Sequence, residues 1–223
     1  MNLPKYLAPL VVAAGFSSRL ALADTFSFTN NLAIPDGQAA GVSDVESITS
    51  GISQIGSVMV SLNIAGDFNG DLYCYLEHDN AFSVLLNRVG RTTGSAFGYA
   101  DSGFNIVLID TATNGNIHNY QGVFTPAAGT PLTGVWQPDG RTTSPASVLD
   151  TDPSTAGLSV FDNLNASGSW TLFLADLSPG GTSELVSWQL DFYTVPEPSI
   201  VALTIAGLAV VTGFARIRKR LCK

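Results

Sequence analysis

Apolar and polar residues alternate with a period of two through much of the chain. Val58, Val60, Leu62 and Ile64 are interleaved with Ser57, Met59, Ser61 and Asn63. In an extended backbone successive side chains point to opposite faces, so this is a strand with one apolar side. Asp67-Phe68-Asn69-Gly70 reads as a turn, after which Leu72, Cys74 and Leu76 form the inward set of the next strand. Ala81–Asn87 and Phe104–Ile109 are further apolar runs. Trp170, Leu172 and Leu174 alternate with Thr171, Phe173 and Ala175, and a Pro179-Gly180-Gly181 turn leads to Val186, Trp188, Leu190 and Phe192. No stretch of this region carries a convincing amphipathic-helix pattern. Roughly eight short strands separated by turn residues predict an all-β fold, a β-sandwich or jelly roll. Asp110–Asp162 is looser, rich in Gly, Thr, Pro and Asn, and reads as long connections with few strong strands.

The two ends break this pattern. At the N-terminus one positive charge, Lys5, precedes an apolar run from Tyr6 to Phe16, and small residues follow at Ala21-Leu22-Ala23. Charge, apolar core and A-x-A in that order predict a secretory signal peptide over residues 1–23, removed by signal peptidase. Arg19 is unusually late for such a segment. At the C-terminus, Val195-Pro196-Glu197-Pro198 precedes 17 residues, Ser199–Ala215, without a charge. As a helix they would span about 25 Å, slightly short of a hydrocarbon core of about 30 Å. Arg216, Arg218, Lys219, Arg220 and Lys223 follow. Their long side chains can snorkel, and the positive-inside rule keeps them in the cytoplasm. Both ends therefore predict an exported body and a tail that enters the inner membrane.

Pro-Glu-Pro, a short apolar segment and a basic terminus together resemble the PEP-CTERM sorting signal over Val195–Lys223. That resemblance implies a Gram-negative bacterium that makes extracellular polysaccharide. It also implies recognition and removal of the tail by an exosortase, a membrane-embedded cysteine protease. The sorting motif would be Pro196, Glu197 and Pro198 with the basic residues Arg216, Arg218, Lys219 and Arg220.

Setting the ends aside leaves residues 24–194, long enough for one domain with a real core. Seven of the ten cations of the chain lie in the ends. The body keeps Arg88, Arg91 and Arg141 against 17 acids, a formal charge of −14. Nucleic-acid binding needs clustered cations and is disfavoured. Such a body either solvates its acids in loops or uses some of them for calcium. Cys74 and Cys222 are expected on opposite sides of the membrane and so unpaired. Cys74, between Leu72 and Leu76, reads as a small buried apolar residue.

The body resembles a second family. Ile34-Pro35-Asp36 with Gly41-Val42, then Val58-x-Val60-x-Leu62-x-Ile64 and Gly70-Asp71-Leu72, look like the P-domain of subtilisin-like proprotein convertases. The closing segments Gly168-Ser169-Trp170-Thr171-Leu172, Asp176 and Leu185-x-Ser187-Trp188-x-Leu190 continue the likeness, which runs from about Thr25 to Tyr193. It implies a jelly-roll sandwich of the galactose-binding-like kind. Two departures stand out. Glu77-His78-Asp79-Asn80-Ala81 occupies the place of the family's Ser-Pro-x-Gly-Thr turn, and the glycine before the last strand is replaced near Ser183. The neighbouring protease domain that the P-domain supports in convertases has no counterpart here, so that role does not carry over.

Candidate chemistry is sparse. His78 and His118 sit in no catalytic motif, and G-x-S-x-G, H-E-x-x-H and C-x-x-C are absent. No catalytic residue is assigned, and the body reads as non-enzymatic. Asp67-x-Asn69-x-Asp71 resembles the start of a calcium loop. The sixth and twelfth positions are Leu72 and His78, so it is not an EF-hand, and a two-strand turn at Asn69-Gly70 explains the same residues. Calcium at this turn, or near Asp150 and Asp152, stays open as the one cofactor. Tyr73 and Tyr75 point away from the Leu72–Cys74–Leu76 face, either to stack on sugar rings or to pack under a second layer. Trp170 and Trp188 follow inward patterns, whereas Trp136 is expected in a loop as a glycan-contact candidate. Three functions follow: a non-catalytic surface or matrix protein making protein or polymer contacts, a carbohydrate-binding module for the cell's own exopolysaccharide, or a hydrolase.

Overall fold

The computed structural model describes residues 23–194. The apolar run and cleavage site of the expected signal peptide up to Leu22, and the whole expected sorting tail Val195–Lys223, lie outside the described residues. Among the described residues no helix is long and apolar enough to cross a membrane.

Nine strands are present among them: β1 Ala23–Ile34, β2 Val42–Ile48, β3 Ile55–Ala65, β4 Leu72–His78, β5 Ala81–Asn87, β6 Phe104–Leu108, β7 Leu132–Trp136, β8 Gly168–Asp176 and β9 Ser183–Thr194. They form a five-stranded sheet, ordered β1-β9-β3-β6-β7, and a four-stranded sheet, ordered β2-β8-β4-β5. All pairs are antiparallel except β6 with β7. The inward residues of both sheets join in one apolar cluster, including Val60, Leu62, Cys74, Leu76, Trp170, Leu172 and Leu190. Each large aliphatic side chain buried this way contributes about 1.5–3 kcal/mol. Cys74 is wholly enclosed, and burial pushes its thiol far above the usual range.

Three sequence expectations change. In β9 the inward residue is Leu185 and not Val186. Asn63 pairs with Ser187 but Ile64 pairs with Leu185, so Val186 is the extra residue of a bulge that resets the alternation. Second, Trp136 is not in a loop. It ends β7, which runs parallel to β6 with Leu108 opposite Trp136. Third, Asn69-Gly70 is not a hairpin turn. Residues Asn69–Asp71 form one turn of 3-10 helix between β3 and β4, which belong to different sheets. The two-residue hairpin lies instead at Asp79-Asn80, with φ of +48° and +66°, joining β4 to β5. Positive φ at both centres is the twist that suits such a hairpin, and Asp and Asn tolerate it.

The edges of the four-stranded sheet are treated differently. On β2, Asp44 and Glu46 pair across Leu172 and Trp170, on the core-facing side of the strand. Asp44 Oδ2 accepts from Trp188 Nε1 at 2.6 Å and from Asn30 Nδ2 at 2.8 Å. An inward charge at an edge discourages pairing with another chain. On the β5 side the long connection does the covering. Asp139 N donates to Leu85 O, Gly140 N to Val84 O, and Val84 N to Ala156 O. With a bulge at Leu85, this layer buries Val84, Leu85 and Leu86 in a row.

Candidate binding face

Tyr73 and Tyr75 lie on the outward side of β4, as their alternation with Leu72, Cys74 and Leu76 requires. The pairing of β4 with β8 sets Tyr75 opposite Phe173, and β5 brings Phe82 close. Tyr75 and Phe173 stack with centroids 4.8 Å apart at 17°, and Phe82 meets Tyr75 from 4.8 Å. Tyr73 stands edge-on to Phe173 at 6.3 Å. All four rings are half-buried, and Tyr73, Tyr75 and Phe173 line an open groove of about 530 Å³, shared with Pro145, Leu177 and Arg88. Burial first, then the neighbouring Tyr75, Cys74 and Asp139, push the Tyr73 hydroxyl up to about 12. Burial raises Tyr75 as well. Both hydroxyls are therefore neutral and can donate hydrogen bonds near pH 7.

Arg88 lines this groove with its charge paired to Asp71. Its Nε donates to Gly70 O at 3.0 Å, and its Nη2 donates to Asp71 Oδ1 at 3.2 Å and Ser178 Oγ at 2.8 Å. Burial draws the guanidinium below its ordinary value, and Asp71 pulls it back up. The other two arginines of the described residues also bond within the fold. Arg91 Nη1 donates to Pro145 O at 2.5 Å, and Arg141 pairs with Asp139 at 3.2 Å.

The three calcium candidates are each committed to different partners. Asp67 Oδ2 accepts from Thr182 N, the Asn69 amide donates to Gly103 O and Tyr120 Oη, and Asp71 pairs with Arg88. Asp152 accepts from Leu149 N, while the Asp150 carbonyl accepts from Arg141. Among the described residues no three His, Cys, Asp or Glu side chains group as a metal site. Trp136 is a correction: it is 1% exposed. Its Nε1 donates to Thr133 O at 3.0 Å, and its ring meets Tyr120, so no glycan can reach it.

Both histidines are interior. His118 places Nδ1 2.7 Å from Asp139 Oδ2 and Nε2 3.1 Å from the Arg91 carbonyl oxygen. Asp139 also accepts from Asn87 N and Arg141. The histidine–carboxylate pair looks like two members of a hydrolytic triad, but both residues are fully buried and the outer ring nitrogen faces a carbonyl. It anchors the connection layer over β5. His78 stacks on Trp170 at 4.1 Å and 3°, with its ring nitrogens against Ser169 O and Asn165 O.

Sequence reasoning missed Phe173, Phe82 and Arg88 as members of the face. Phe173 was visible as an outward residue of its strand, but nothing local places it beside Tyr75.

No protein-family model and no curated protein matches the chain. Among solved structures, the serine protease of Aeromonas sobria in complex with the chaperone is similar at a TM-score of 0.44 and 14% identity, over 78% of this chain and 27% of that one. The same protease solved alone gives 0.42 and 14%, over 79% and 28%. The chain thus spans about a quarter of the length of those structures. Similarity at this level assigns neither activity nor partner.

Proposed function

We propose that this chain is an exported, non-catalytic cell-surface or extracellular-matrix protein whose sandwich contacts polymer outside the cell. In this reading residues 24–194 form a P-domain-like jelly roll of the galactose-binding-like kind. The signal peptide exports it, and an exosortase sorts and processes the Pro-Glu-Pro tail at the inner membrane. The observation that carries the binding role is the aromatic groove of Tyr73, Tyr75 and Phe173 on the outward face of the four-stranded sheet. A sheet face left to solvent is ordinarily polar. Aromatic rings gathered there offer apolar faces, and their neutral hydroxyls offer hydrogen bonds. Sugars need both, since their C–H faces are apolar and their rims are hydroxyls.

The same observation favours the narrower reading of a carbohydrate-binding module for the cell's own exopolysaccharide. Burial of Cys74, His78 and His118 supports a non-catalytic role, because no nucleophile or general base among them meets solvent. The acidic charge makes nucleic acid an unsuitable partner.

The test is retention of the full chain on a polysaccharide array, with Tyr75→Ala beside it. Retention that Tyr75→Ala abolishes is the expected result. No retained glycan, or retention indifferent to Tyr75, overturns the binding face.

A further inference from the structure

A second cleft, of about 470 Å³, meets the same ion pair. Arg88 lines the groove described above, and its partners Asp71 and Ser178 line the second cleft. The other walls of the second cleft include Phe68, Phe97, Tyr99 and Pro179. Phe97 is 72% exposed and Phe68 40%.

The segment that presents Phe97 is clamped. Gly70 N donates to Tyr99 O at 2.8 Å, and Tyr99 N donates to Val89 O at 3.0 Å. A Cβ on Gly70 would collide with the backbone of Phe97–Tyr99, and one on Gly98, at φ +72°, with the Val89 carbonyl. Tyr99 packs edge-on against buried Tyr120 at 4.7 Å. A large apolar ring is thus held out to water by backbone that has no slack. Placing it there forgoes burial, while the fixed loop lowers the ordering cost of any contact it makes.

Resting on the glycan reading above, we propose that the two clefts are subsites of one site for an uncharged polysaccharide chain. Phe97 and Phe68 hold sugar units beyond those over Tyr73, Tyr75 and Phe173. The charge of the lining selects this occupant. Across both clefts the lining contains one cation and one anion, Arg88 and Asp71, and they neutralise each other. An anionic chain finds only a cation already paired with a carboxylate and meets the field of a body at −14. A basic peptide finds no unpaired carboxylate in the lining. A neutral chain loses nothing on either count, and its length explains why two aromatic clefts share one polar junction.

The test uses the full chain in affinity gels containing hydroxyethylcellulose, xyloglucan, galactomannan or alginate. Calorimetry then follows with oligosaccharides, from dimer to hexamer, of whichever polymer retards it. Wild type should be retarded by a neutral polymer and not by alginate, with affinity rising along the oligomer series. Phe97→Ala should leave the dimer unchanged and weaken the hexamer about tenfold, Phe68→Ala should act in the same direction, and Tyr75→Ala should weaken both lengths. Phe97 is so exposed that its truncation leaves the melting temperature as a usable control. If Phe97→Ala and Phe68→Ala bind the hexamer like wild type while Tyr75→Ala fails, the second subsite is refuted and the first groove stands. If no neutral polymer retards the chain, the glycan reading falls with it. Preference for alginate, or self-association lost in Phe97→Ala on sedimentation, overturns the neutral chain as occupant.

Discussion

The two faces of the four-stranded sheet use similar residues for different ends. Inward, Leu72, Cys74, Leu76, Trp170, Leu172 and Leu174 are at most 2% exposed and meet the opposite sheet. Outward, Tyr73, Tyr75, Phe82 and Phe173 are equally rich in carbon, yet on that side they remain half open to solvent. The β5 margin of the outward face is sealed by the layer that Asp139 anchors. Apolar composition therefore does not by itself mark core. What separates core from surface here is whether a second layer arrives, and that is decided by distant parts of the chain.

The sharpest way to break this contrast is to remove the anchor of the covering layer. Asp139→Ala leaves His118 and Arg141 buried without their carboxylate, and losing one partner of a buried pair costs about 3–5 kcal/mol. The urea midpoint should fall accordingly, and amide exchange should rise at Val84–Asn87 before it rises at β8. Uniform exchange across both sheets would mean that the layer and the core unfold together.

The inward face gives the next effect. Leu172→Ala opens a cavity in the core shared by the two sheets and should cost about 2–5 kcal/mol, read from denaturant unfolding. A cost under about 0.5 kcal/mol, the range of exposed positions, would show that the two faces are not energetically distinct.

The inward sets were legible because a half-buried strand writes its burial with period two. Val58, Val60, Leu62 and Ile64 in β3 fall where the alternation puts them. That frame survives until an extra residue intervenes, which is why Leu185 replaces Val186 after the β9 bulge. Strand β7 was hidden because Leu132-Thr133-Gly134-Val135-Trp136 sits in a Gly- and Pro-rich stretch and pairs with β6 across a long connection. Of the binding face, Tyr73 and Tyr75 were legible as outward residues. Phe173 beside Tyr75, and Arg88 on Asp71, depend on pairings 98 and 17 residues apart in sequence. No local signal encodes them.

The smallest expected effect tests how deep the outward rings sit. Tyr73 ionises at about 12 in the folded chain, against an ordinary value of about 10. Raised in the fold, it contributes stability that is whole below about pH 10 and is lost as pH climbs towards 12, because the unfolded chain releases the proton first. Residues 24–194 contain no lysine, so tyrosines dominate ionisation of the body in that window. Tyr75, Tyr99 and Tyr120 are raised too, chiefly by burial. Tyr73→Phe should therefore make the alkaline decline of the urea midpoint shallower without abolishing it, and leave the midpoint at pH 7 nearly unchanged. An unaltered slope would mean that Tyr73 stands in water like any surface tyrosine. The groove would then lack the enclosed aromatic wall that distinguishes a binding face from a merely uncovered one.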